Sequence, residues 1–145
     1  MVMNQDFKEF IALLNTNDVQ YLVIGGYAVA YHGYPRYTKD LDLWINPSLI
    51  NAEKVLAALK EFGFGSLEIT VNDLVTPGQT IQLGYPPIRI DLITSIDGVN
   101  FEDCYPDRLL VEDAGQMIKV IDLDNLKKNK RASGRAQDLA DLENL

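Results

Sequence analysis

Cysteine is nearly absent from this sequence. Cys104 is the single one, so no internal disulfide can form and no cysteine-based zinc site can be built. It is expected to be a partly buried spectator. Positive charge is also scarce: 13 lysines and arginines stand against 21 aspartates and glutamates, a formal net charge of −8. Coating nucleic acid requires a broad basic surface, so a broad DNA-binding surface is excluded, although a local basic pocket is not. No apolar run approaches the ~18 residues of a membrane span. The N-terminus lacks a positive region followed by an apolar core, the mark of a secretion signal. The expectation is a cytoplasmic protein with no membrane partner. No repeat, low-complexity tract or linker interrupts the chain. With 145 residues, 47% hydrophobic and 23% charged, the composition is that of an ordinary globular protein, expected as one domain, 1–145.

The pattern alternates helices and strands. Asn4 to Asn15 places Phe7, Phe10, Ile11 and Leu14 at helical spacing, which predicts an amphipathic helix. Tyr21 to Ile24 is an apolar run that predicts a buried strand. Pro47 and Ser48 open a helix to about Phe62, with Ile50, Val55, Leu56 and Leu59 on its apolar side, ended by Gly63 and Gly65. Leu67 to Val71 is expected as a short strand and Asp73 to Gly78 as loop. Thr80 to Leu83 and Ile88 to Ile93 predict two strands joined by a hairpin-like turn, Gly84 to Pro87. Phe101 to Tyr105 reads as a helical turn, and Leu109 to Val111 and Gln116 to Ile121 as short strands. Asp122 or Asp124 caps a helix to about Arg131. Gly134 to Leu145 is expected as a last helix with Leu139, Leu142 and Leu145 inward. Such an order of elements predicts an α/β (α+β) protein, a small mixed twisted sheet flanked by helices.

The chemistry concentrates between Tyr21 and Ile45. Gly25 and Gly26 follow the first strand and leave the backbone bare where a short helix, Tyr27 to His32, begins. Free N–H groups and the positive end of a helix dipole suit a phosphate there. Asp40-Leu-Asp-Leu-Trp-Ile45 then alternates as a strand, placing Asp40 and Asp42 on one face and Leu41, Leu43 and Ile45 on the other. Two carboxylates so spaced can converge on one hard cation, which relieves their mutual repulsion. A third carboxylate, Asp91, lies on a later strand with Arg89 on its own face. If that strand neighbours the first, the three acids meet ~5 Å apart laterally. The bland alternative for Asp91 is a surface aspartate paired with Arg89.

Gly25-Gly26, a gap of 13 residues, then Asp40-Leu-Asp-Leu43 resembles the signature of the DNA polymerase beta-like nucleotidyltransferase superfamily. Arg36-x-Thr38-x-Asp40-x-Asp42 is similar to its small stand-alone members, including those of toxin–antitoxin and abortive-infection systems. The resemblance implies the polymerase beta-like fold and a metal-dependent transfer of a nucleoside monophosphate from a nucleoside triphosphate, ATP among them. The monophosphate goes to an acceptor hydroxyl on a protein or an RNA end, and pyrophosphate is released. It implies magnesium, with manganese as the alternative, held by Asp40, Asp42 and Asp91, and a cognate toxin or antitoxin as a partner. Two other readings stand beside it. One is a nucleotide-binding or partner-binding member that has lost catalysis, and the other a small-molecule (antibiotic) nucleotidyltransferase.

Five of the 13 basic residues fall late, at Lys127, Lys128, Lys130, Arg131 and Arg135. A charge run is usually a solvated helix face. This one runs into Gly134-Arg135-x-x-Asp138, and similar tails in the small family members imply that Lys130 and Arg135 approach the triphosphate while Asp138 orients Arg135. Arg135 and Asp138 are three apart on a helix and can pair. Arg36 can fork onto a phosphate or equally cap a loop, and Thr38 lies beside it. His32 is expected to bond backbone at a helix end. Trp44 is expected to pack under the helix that follows it. Of the tyrosines at 27, 31, 34 and 37, most are expected to pack.

Overall fold

All four side chains of Tyr21–Ile24 are buried, and this run forms β1, an inner strand of a six-stranded mixed sheet. The structure, a computed structural model, describes residues 3–35, 38–65, 67–85, 88–113 and 115–145. Arg36 and Tyr37, and the prolines of the turn at 86–87, lie outside these residues. Sheet order is β3-β4-β2-β1-β6-β5, with β2 at Asp40–Ile45, β3 at Thr80–Tyr85, β4 at Ile88–Ile93, β5 at Leu109–Asp113 and β6 at Gln116–Val120. β1 runs antiparallel to β2 and parallel to β6. β2 runs parallel to β4. The two outer pairs, β3–β4 and β5–β6, are antiparallel hairpins.

One sheet face is closed by α1 (Gln5–Thr16), which packs on α3 (Leu49–Leu59) and β6. Asn4 caps α1 by accepting from the Asp6 N–H, and Phe7, Phe10, Ile11 and Leu14 are buried at the expected spacing. Leu41, Leu43 and Leu92 are fully buried in the core, each contributing about 1.5–3 kcal/mol by leaving water. Their strand neighbours Asp40, Asp42 and Asp91 therefore turn to the opposite face. That face is approached by α6 (Leu123–Ser133) and by Arg135 just before α7 (Ala136–Asn144), which packs on α6. Asp122 caps α6, and Gly134 ends it in the left-handed conformation, φ +63°, turning the chain back into α7.

Several expectations need correction. Residues 67–70 form no strand, and Val71–Val75 is a helical turn, α4, rather than strand and loop. Thr70 and Asp73 bond each other's backbone N–H in a capping box, a local signal that outweighs the β-branched composition. The short helix α2 spans Gly25–Tyr31 and so includes both glycines rather than starting at Tyr27. Ile50 is exposed on α3, while Val55 and Leu59 are buried. Leu139 is exposed on α7, and Asp138 and Asp141 are buried instead. Trp44 is buried under α5 (Phe101–Cys104), meeting Phe101 edge-on at 5.1 Å, not under the helix that follows it in the chain. Cys104 is fully rather than partly buried, and burial pushes its thiol up to about 11. Among the described residues, no helix is long and apolar enough to cross a membrane.

Candidate active site

Asp42 and Asp91 stand directly opposite each other on the parallel strands β2 and β4, and Asp40 stands opposite Arg89 in the same register. Parallel neighbours lie ~4.8 Å apart, so three carboxylates and one guanidinium share a small patch of a single sheet face. The patch floors a cavity of about 590 Å³ whose wall carries Gly25, Asn129, Lys130, Ser133 and Arg135. A larger cavity, about 760 Å³, lies between α1 and the β3–β4 hairpin. Leu13, Phe62 and Phe64 line it and none of the three aspartates does, so the chemistry belongs to the smaller one.

Electrostatics mark Asp42 as the strained member. Burial first, then the charges of Asp91 and Asp40, push it up to about 7, against opposing pulls from Arg89 and Lys130. Asp91 is held by a planar fork: Arg89 Nε donates to Oδ1 at 3.0 Å and Nη2 to Oδ2 at 2.9 Å. Arg89 Nη1 also lies 3.9 Å from Asp40 Oδ2. The pairing of Asp91 with Arg89 and its membership of the acidic patch, posed by the sequence as alternatives, both hold.

Gly25 touches this geometry directly. Its φ is +67°, and a Cβ there would sit 2.3 Å from Asp42 Oδ2, so only glycine lets the carboxylate keep its place. Gly25→Ala is expected to cost about 1–2 kcal/mol for the left-handed backbone, lowering Tm by roughly 5 °C, and to weaken divalent-cation binding by displacing Asp42. A thermal melt beside a manganese titration checks both effects. Unchanged values would mean that the backbone relaxes without disturbing Asp42.

On the α6–α7 side, Lys130 is buried and bridges two carboxylates, Asp138 Oδ1 at 3.1 Å and Asp141 Oδ2 at 3.0 Å. Asp138 also accepts from Arg135 Nε at 2.9 Å and from the Ser133 hydroxyl. Burial pushes Asp138 up, but the hydrogen bonds from Arg135, Ser133 and Lys130 outweigh it and hold the group down at about 2. The Arg135 side chain is 79% exposed at the cavity rim. The expected Arg135–Asp138 pair is therefore present. Ser133 and Asp141 escaped the sequence reading, although Asp138 and Asp141 have the three-residue spacing of one helix face.

The other candidates fall as follows. Gly26 is buried in α2, whose N-terminus carries no side-chain cap. Thr38 donates to the Asp40 carbonyl at 3.4 Å and does not line the cavity. Arg36 lies outside the described residues. His32 bonds the Ile121 carbonyl through Nε2 at 2.7 Å, as expected. Tyr27 packs edge-on against Phe7, and Tyr31 donates to Asp113, so both serve packing.

Among the described residues, no three acidic, imidazole or thiol groups gather as closely as the ligands of one ion do. The donor set nonetheless suits a hard cation. Three carboxylates offer only oxygen, burial and then their mutual repulsion push Asp42 up, and the missing Cβ of Gly25 lets the Asp42 carboxylate keep its place among them. Asp40, Asp42 and Asp91 would hold it.

The six-stranded mixed sheet with its flanking helices is a fold shared with a solved structure. The particular likeness is to the crystal structure of a protein from Thermotoga maritima described as a putative nucleotidyltransferase. The TM-score is 0.66 at 16% identity, over 99% of this chain and 94% of that one. No family model and no curated protein matches this chain.

Proposed function

We propose that this protein is a metal-dependent nucleotidyltransferase, moving a nucleoside monophosphate from a nucleoside triphosphate to an acceptor hydroxyl and releasing pyrophosphate. The observation that carries this reading is the β2–β4 register, which sets Asp42 against Asp91 with Asp40 alongside, under a rim bearing Lys130 and Arg135. Asp40 and Asp42 would hold a divalent cation, magnesium or manganese, on the triphosphate side and Asp91 one on the acceptor side. Such ions would supply neutralisation of phosphate charge and a lowered barrier to deprotonating the acceptor hydroxyl. Arg135 has spent its Nε on Asp138 and can turn its terminal nitrogens to phosphate oxygens. Lys130 has spent two of its three N–H bonds on carboxylates, leaving one for the nucleotide. Gly25 brings bare backbone to the same rim, with Gly26, Arg36 and Thr38 assigned to nucleotide binding on the strength of the motif. Most of the catalytic effect would come from positioning and charge neutralisation.

The fork from Arg89 on Asp91 favours a second reading, a nucleotide-binding protein without catalysis. Pyrophosphate release separates the two.

Binding itself is tested by melting the protein with each triphosphate, with magnesium or with a chelator. A triphosphate at 100 times its Kd stabilises the fold by about 2.7 kcal/mol, which raises Tm by roughly 5–10 °C. The rise is expected with magnesium and not with chelator, because three carboxylates repel a bare triphosphate. No shift with any triphosphate and any divalent ion would overturn the nucleotidyltransferase reading.

A further inference from the structure

Arg89 is built into the acidic patch rather than beside it. It lies two residues before Asp91 on β4 and directly opposite Asp40 on β2. Its two hydrogen bonds engage both oxygens of Asp91, whose residue is only 6% exposed. Its third nitrogen reaches toward Asp40 without a hydrogen bond, at 3.9 Å. A guanidinium forked on a buried carboxylate neutralises it and repels a second cation from the same oxygens. The Arg89 side chain is itself 32% exposed, at the cavity wall, so it is free to turn toward a ligand there. The fork fits phosphate oxygens as well as it fits a carboxylate.

We propose that Arg89 is a positioning residue that gates Asp91. Forked on Asp91, it withholds that carboxylate from a divalent cation. When a triphosphate enters, Arg89 turns onto its oxygens and releases Asp91 to the acceptor-side cation. The acceptor side is then armed only after the nucleotide is in place. This deepens the nucleotidyltransferase reading and rests on it.

The test is a calorimetric titration of manganese into the parent, Arg89→Met and Arg89→Lys, first without nucleotide. Circular dichroism confirms the fold of each. Methionine removes the charge and the fork, whereas lysine keeps the charge and loses only the fork. Both variants are expected to bind manganese more tightly than the parent, by roughly 5–150-fold, the usual range of coupling between two sites. A non-hydrolysable triphosphate should then raise manganese affinity strongly in the parent and less in either variant. Equal manganese affinity in the parent and Arg89→Met overturns the proposal. So does tightening in Arg89→Met alone, which would mean that net charge and not the fork is at work. Neither result touches the nucleotidyltransferase reading, which fails separately if no triphosphate stabilises the parent.

Discussion

Asp91→Asn is expected to abolish nucleotidyl transfer while leaving triphosphate affinity within a few-fold of the parent. Asparagine keeps the size of the side chain and removes its charge, so the loss falls on the acceptor side. If that ligand supplies about 4 kcal/mol in the transition state, turnover falls roughly a thousandfold. Arg89, no longer held by a charged partner on β4, becomes available to the phosphates, and the affinity for triphosphate should rise slightly. Asp42→Asn should behave differently. Asp42 is already pushed up to about 7 by burial and its two acidic neighbours. Burial and its acidic neighbours make its charge costly and a bound cation would offset that cost, so losing the charge should damage triphosphate binding and turnover together. Calorimetry with a non-hydrolysable triphosphate in magnesium, beside single-turnover pyrophosphate release, separates the two patterns. Equal loss of binding in Asp91→Asn and Asp42→Asn would mean that all three carboxylates serve one indivisible cluster.

The acidic patch was legible in the sequence because strand alternation is local. Asp40-x-Asp42 and Arg89-x-Asp91 each declare one face, with apolar residues declaring the other. What alternation does not carry is the pairing of β2 with β4. Those strands are separated in the chain by α3, α4 and β3, and only the folded sheet brings Asp42 opposite Asp91. Side-chain pairing was harder still. Arg89 was weighed as a reason to discount Asp91, because two residues on one strand face either pair or serve a site when only the sequence is in view. The structure has both at once. In α7 a hydrophobic period, Leu139 with Leu142 and Leu145, outvoted Asp138 and Asp141 because aspartate is rarely buried without a partner. The missing fact was that Lys130 of α6 is buried against the same surface and supplies that partner. The capping box at Thr70 and Asp73 is readable by spacing alone, and it places a helix start inside the stretch expected as strand and loop.

Lys130→Met is expected to be the most destabilising of these substitutions. The side chains of Lys130, Asp138 and Asp141 are 5%, 3% and 0% exposed, so their charges have almost no water to fall back on. Methionine fills much of the same volume and leaves two buried carboxylates short of a cation. Asp138 keeps Arg135 and Ser133, and Asp141 keeps the Gln137 amide, but both lose the ammonium between them. Breaking one side of such a cluster costs about 3–5 kcal/mol, a fall in Tm of roughly 10–15 °C. The sign of the pH dependence follows from Asp138, whose folded value, about 2, lies below the ordinary carboxylate range. Its stabilising contribution is present above about pH 4 and is lost as pH falls toward 2. The gap in stability between parent and Lys130→Met should therefore be widest near neutrality and close as the solution is acidified from about pH 4 downward. Adding Asp141→Leu to Lys130→Met removes one of the two buried charges that lost the ammonium and should restore much of the lost stability, since an apolar replacement of a buried pair is often neutral. Denaturant titrations of the parent and both variants at pH 7, 4 and 3 test this. A Lys130→Met penalty that stays constant with pH, or a double variant no more stable than the single, would show that packing of the lysine stem and not its charge holds α7 in place. The folded double variant also isolates the ligand role of Lys130. If its affinity for a magnesium-bound triphosphate matches the parent's, the ammonium only ties α7 to α6, and Arg135 is left as the tail's cation for the nucleotide.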